Sequence, residues 1–180
     1  MYSVALIGHS NLPVFPSYGD VQISHFKCRG ALLSDIRNPR KFDQRMLETH
    51  WNCVILFLGG NDLAVHKDQK PIFNLFLEVL KALKKADKVL VTDIEPRTYS
   101  RAKEIQFGIT TRQYNKRKDI INNQWKRYAK RTRSFQLIHV PPGYQVDSHD
   151  RGIHLGIEGQ RNLIRKYKDW IWKCQNLARC

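Results

Sequence analysis

The sequence predicts an α/β fold, a parallel sheet of five strands wrapped by helices into three α/β/α layers. Short apolar runs closed by Gly, Pro or a polar turn alternate along the chain with segments of helical apolar spacing. The longest irregular stretches follow strands, which is where an open sheet of this kind carries its site. A chain of 180 residues, 42% of them hydrophobic, supports one sizeable core and is short for two. Residues 1–180 are therefore expected to form a single domain.

Tyr2 to Gly8 is the first expected strand, an apolar run ending in Gly, and Val21 to Phe26 is the second. Asn52 to Leu58 is the clearest buried strand, and Lys88 to Ile94 and Phe135 to Val140 complete the five. A helix is expected from Pro71, with Ile72, Leu75, Phe76, Val79, Leu80 and Leu83 at helical spacing. A second follows Thr111, with Ile121, Trp125 and Tyr128 as its stripe. A third runs from about Glu158, with Leu163, Tyr167, Ile171, Cys174 and Leu177. The stretches Asn11 to Gly19, Glu95 to Gly108 and Pro141 to Ile153 read as irregular, and no repeat, low-complexity segment or linker is visible.

The charged residues are unbalanced, 31 basic against 16 acidic, for a formal charge of +15. Such an excess draws in polyanions, whether RNA, DNA or an anionic surface, and says nothing of fold. Cys28, Cys53, Cys174 and Cys180 form no CxxC pair and read as free thiols rather than a disulfide framework. With no apolar leader before the first strand and no apolar run long enough to span a bilayer, the expected setting is intracellular, in the reducing cytoplasm. The chain reads equally well as a domain of a longer protein, and its oligomeric state is left open.

Four motifs fall at the expected C-terminal edge of the sheet. These are Gly8-His9-Ser10 after the first strand, Gly30 after the second, Gly59-Gly60-Asn61-Asp62 after the third, and Asp150-Arg151-Gly152-Ile153-His154-Leu155 after the fifth. A Ser hydroxyl becomes a nucleophile when an imidazole takes its proton, and the tetrahedral intermediate needs donors aimed at its new oxyanion. Ser10 and His154 supply the first requirement. Glycine at positions 8 and 30 lets the backbone approach closely and present N–H groups, and the Asn61 side-chain amide adds a neutral donor, which supplies the second. Taken singly, Ser10 is an ordinary helix N-cap and the Gly59–Asp62 run a tight turn; it is their order along the chain that gives them meaning. His9, His66 and His149 have no paired ligand spacing, so neither a metal nor a cofactor is expected.

In that order, Ser10, Gly30, Asn61 and His154 resemble the four blocks of the SGNH, or GDSL-type, hydrolases. The resemblance covers essentially the whole chain, and it implies a flavodoxin-like fold. In such a site Ser10 is the nucleophile and His154 the general base, while Ser10, Gly30 and Asn61 form the oxyanion hole. The chain departs from the family pattern twice. His9 stands where the family usually has Asp, and Arg151 stands three residues before His154, where the family keeps its triad Asp. Asp150, one residue further back, is the candidate orienting carboxylate; without it His154 works in a dyad with Ser10. The implied substrate is a small acyl ester, an acetyl ester among the candidates. Similar esterase domains occur in proteins of some non-LTR retrotransposons, and similar folds without the catalytic residues bind RNA.

Arg97, Arg101, Lys103, Arg112, Lys116, Arg117, Lys118, Lys126, Arg127, Lys130, Arg131 and Arg133 crowd one segment, opposed by Glu104 and Asp119. Tyr99, Tyr114, Trp125 and Tyr128 are interleaved with them. This pattern fits binding of RNA or single-stranded DNA, cations on phosphates and aromatics on bases. It fits equally a solvated basic helix face whose aromatics are core. The expectation is thus an SGNH-type esterase with a polyanion-binding surface. The alternative is a catalytically weak or inactive domain of the same fold that binds RNA or single-stranded nucleic acid.

Overall fold

A computed structural model of the chain describes residues 1–66, 68–140 and 156–177. Five strands, β1 (Tyr2–Gly8), β2 (Val21–Lys27), β3 (Cys53–Phe57), β4 (Val89–Thr92) and β5 (Gln136–Ile138), form one sheet in the order β2-β1-β3-β4-β5. Every neighbouring pair is parallel. All five expected strands are present, the later ones trimmed by a residue or two at each end.

The alternation of side chains along a strand explains the three layers. Ala5 and Ile7 of β1, Val54 and Leu56 of β3, and Val91 of β4 enter one core, which is closed by Ile72, Phe76 and Val79 of α3 (Gln69–Ala82) and by Ile121 and Trp125 of α5 (Thr111–Thr132). Val4, Leu6, Cys53, Ile55 and Leu90 face the opposite way. They pack with Leu163, Tyr167, Ile171 and Cys174 of α6 (Ile157–Leu177). Phe76 stacks on Trp125 with ring centroids 4.2 Å apart, so α3 and α5 meet through an aromatic pair. Cys28, Cys53 and Cys174 are free thiols.

Three short helices complete the described chain: α1 (Arg45–Glu48), α2 (Gly60–Val65) and α4 (Arg101–Phe107), with a 3-10 turn at Leu33–Arg37. Helix α4 lies inside the stretch expected to be irregular. Its side chains include no buried residue, so it leaves no apolar periodicity to read. Its ends are nevertheless signalled, by Ser100 accepting from Lys103 N and by Gly108 at φ 62°. Helix α3 begins two residues before Pro71. That placement is tolerated because first-turn N–H groups have no intrahelical acceptor. No helix among the described residues is long and apolar enough to cross a membrane.

Candidate active site

The turn carrying Ser10 leaves β1 at a point of close backbone approach. A Cβ on Gly8 would lie 2.8 Å from Phe57 O of β3, so only glycine fits there. The chain then turns, with His9 N donating to Phe57 O and Leu12 N to His9 O. Ser10 is half-buried at this turn, between buried His9 and Asn11. Gly30 follows β2 in an exposed turn at φ 69°. Asn61 lies in the first turn of α2, whose N-cap, Gly59, is left-handed at φ 104° and packs against Trp125 and Ile94.

Hydrogen bonds tie these three places together. Asn61 Nδ2 donates to Ala31 O at 3.0 Å, beside Gly30. Asn61 Oδ1 accepts from Arg97 Nη2 at 3.1 Å. The same nitrogen donates to Glu95 Oε1 at 3.3 Å, and that oxygen accepts from Asn11 Nδ2 at 2.9 Å. The turn of Ser10, the loop of Gly30 and the side chain of Asn61 are thus joined through a buried ion pair. His9 belongs to the same cluster. Its Nδ1 accepts from Asn11 N at 3.2 Å, and its Nε2 lies 3.6 Å from Glu95 Oε1. Asp62, next along α2, accepts from Leu33 N with both carboxylate oxygens, at 3.2 and 3.1 Å. This pins the segment after Gly30 from a second side.

The electrostatics follow from burial. Desolvation acts to raise the Glu95 carboxyl, but His9 and Arg97 pull harder and hold it below the ordinary carboxylate value. Burial acts to lower Arg97, and the surrounding Tyr114, Glu95 and Tyr99 more than reverse it. Asp62 lacks a comparable counter-charge. Its burial pushes the carboxyl up to about 6, against the lowering hydrogen bond from Leu33 N.

One sequence expectation is corrected, and one alternative left open by the sequence is decided. Arg97 is 3% exposed, with its charge spent on Glu95 and its guanidinium over the Tyr114 ring at 5.2 Å, so it is no part of a surface for phosphates. Tyr99, Tyr114 and Trp125 are core residues, and half-buried Tyr128 packs on Phe73 and Phe135, so core packing accounts for these aromatics. Apolar packing decides between the two readings the spacing allowed. Arg101, Arg112, Lys116, Lys126, Arg127, Lys130 and Arg131 are exposed, while Lys103, Arg117 and Lys118 are half-buried. Arg117 also donates to His66 O at 3.2 Å. Asp150 and His154 lie outside the described residues. Sequence reasoning missed Glu95 and Asn11 as parts of the candidate site; Asn11 directly follows the Ser10 motif, and Glu95 lies three residues past the end of β4. Among the described residues no cluster of His, Cys, Asp and Glu could hold a metal ion.

No family model and no curated protein matches the sequence. Solved structures do match the fold. A GDSL-like lipase from Bacteroides thetaiotaomicron superposes with TM-score 0.68 at 15% identity, over 95% of this chain and 88% of its own. A carbohydrate acetylesterase from Sinorhizobium meliloti gives 0.69 at 18% identity, over 98% and 100%. A carbohydrate esterase family 3 protein from Talaromyces cellulolyticus gives 0.65 at 18% identity, over 98% and 99%. The chain has the three-layer α/β/α fold of the SGNH hydrolases.

Proposed function

We propose that this α/β domain is a serine acyl hydrolase of the SGNH type, acting on a small acyl ester such as an acetyl ester. The observation that carries the reading is the hydrogen-bonded path from Asn11 through Glu95 and Arg97 to Asn61 and Ala31, which joins the three elements such a site needs. The fold shared with a lipase and with carbohydrate esterases supports it. Ser10 Oγ attacks the acyl carbon while His154 takes its proton, and Asp150 orients the imidazole. The oxyanion receives N–H groups from Ser10, Gly30 and Asn61. Collapse of the intermediate expels the alcohol, which takes the proton from His154. Water, deprotonated by the same imidazole, then attacks the acyl-serine and releases the acid. A serine-reactive fluorophosphonate probe should label the wild type and not Ser10→Ala. Equal labelling of the two, or none of either, refutes Ser10 as nucleophile. Activity unchanged in Asp150→Asn leaves a Ser10–His154 dyad.

One structural feature favours a second reading, binding of RNA or single-stranded DNA by the basic face with the esterase site weak or silent. Beside the edge strand β5, a cleft of about 560 Å³ is lined by Lys88, Lys126, Lys130, Arg133, His139 and Trp170, and no carboxylate is among its described lining residues. Cations of this density hold phosphates, and Trp170 offers an aromatic face. Affinity for a single-stranded RNA should fall steeply with salt, and the slope should shallow in the Lys126→Glu/Lys130→Glu variant. Affinity indifferent to salt rejects the reading.

A further inference from the structure

We infer that Arg97, held on Glu95, is a positioning residue that fixes which end of the Asn61 amide faces the reaction. The inference rests on the acyl-hydrolase reading and deepens it. An Asn side chain has two ends of nearly equal shape and opposite chemistry; only the NH₂ end can donate to an oxyanion. Local packing alone selects poorly between them. Here each end meets a partner of one sense: the Arg97 cation at Oδ1, 3.1 Å away, and the Ala31 carbonyl at Nδ2, 3.0 Å away. A flipped amide would set NH₂ against guanidinium and carbonyl against carbonyl. With the amide held as it is, one Nδ2–H is used by Ala31 O and the second is left for the intermediate. The cation at Oδ1 also polarises the amide and strengthens that donor.

The support behind Arg97 is more than a single contact. Arg97 Nη2 spends one N–H on Asn61 and the other on Glu95 Oε1, and Nη1 donates to Tyr99 OH at 3.3 Å. Glu95 is fully buried, and it also holds Asn11, beside Ser10. The same carboxylate therefore fixes the flank of the nucleophile and, through Arg97, the oxyanion donor. Gly60 leaves room for this. A Cβ there would lie 2.7 Å from Arg97 Nη2 and 3.1 and 3.3 Å from the two Glu95 oxygens, although the backbone at Gly60 has no left-handed strain to forbid a side chain. Glycine at position 60 thus keeps space for the pair. An aliphatic pair of similar volume would fill the same space without desolvating two charges. It could not, however, discriminate the two ends of an amide.

Arg97→Lys keeps a counter-charge for Glu95, so the fold survives, but one ammonium cannot reproduce the planar fork that reaches Glu95, Tyr99 and Asn61 together. Gly60→Ala keeps both charges and displaces the guanidinium. Each variant should lower kcat on p-nitrophenyl acetate by about 10- to 100-fold with KM within about twofold, because one oxyanion donor is worth about 10²- to 10³-fold and misorientation forfeits part of it. The diagnostic is a double-mutant cycle. In the Asn61→Ala background, either change should cost less than about twofold further. Two results overturn the inference: kcat retained in both folded variants, or a loss of equal size in the Asn61 and Asn61→Ala backgrounds, which marks a merely structural role. A wild type that neither hydrolyses ester nor takes the fluorophosphonate probe overturns the hydrolase reading and this inference with it. An active, labelled wild type with uncoupled losses overturns this inference alone.

Discussion

Replacing Asp62 by Asn should change how stability depends on pH, in a direction the structure dictates. Asp62 is fully buried, accepts the Leu33 N–H from the backbone opposite, and has its carboxyl raised from 3.8 to about 6. Burial is the largest cause and Asp35 adds to it, while Arg97 opposes more weakly. The folded state then binds a proton more tightly than the unfolded chain. Stability gained from this group is absent well above pH 6, appears as pH falls through 6, and is complete below 3.8. At 1.36 kcal/mol per pKa unit the full gain is about 3 kcal/mol, with about 1.4 kcal/mol of it present at pH 5. The amide introduced by Asp62→Asn is neutral at every pH and still offers an oxygen to Leu33 N. Glu95 works in the opposite sense, its depressed carboxyl costing stability as pH falls, but it is common to both proteins and cancels in the difference. Urea unfolding at intervals from pH 4 to pH 8 measures that difference. The wild type should gain on Asp62→Asn steadily towards acid, by about 2–3 kcal/mol at the low end. Parallel profiles would refute the assignment of a desolvated carboxylate at this position.

If the proposed reaction uses the Asn61 amide as an oxyanion donor, Asn61→Ala should lower kcat by about 10²- to 10³-fold. Its cost in stability should be only about 1–2 kcal/mol, from the partners left at Arg97 Nη2 and Ala31 O, so thermal unfolding separates the two effects. Gly59→Ala should act on the fold instead. At φ 104° an added Cβ is strained, and it would sit 3.0 Å from Trp125 and 3.1 Å from Ile94. A loss of about 2–4 kcal/mol in denaturant unfolding is expected. A Gly59→Ala protein as stable as the wild type would show that the turn before α2 can relax.

The central strands were legible because burial on both faces turns each into a nearly unbroken apolar run, as Val4–Ile7 of β1 and Val54–Phe57 of β3 show, whereas the edge strand β2 alternates buried Val21 and Ile23 with exposed Gln22. Helices α3, α5 and α6 were legible because each buries one stripe. Helices α2 and α4 were not. The first is six residues opening on Gly59-Gly60, which reads as a turn, and the second has no fully buried residue, only Phe107 packing partly against the core. The site divides in the same way. Ser10, Gly30 and Asn61 could be named from motif order, but a count of charges cannot report exposure. Charge counting therefore groups Arg97 with its exposed neighbours, although its partner Glu95 lies two residues away. A physical signal for that pair does exist in the sequence. A residue before proline is pushed towards extended backbone, so Pro96 biases Glu95 towards the conformation in which positions i and i+2 share a side. An acid and a base so spaced, just past the end of a buried strand, can meet in the interior at little cost in chain entropy. Glu95-Pro96-Arg97 is such a triplet. The burial of both charges beside Asn61 then follows from local backbone bias and the strand-end position together, which neither net charge nor hydrophobic periodicity can express.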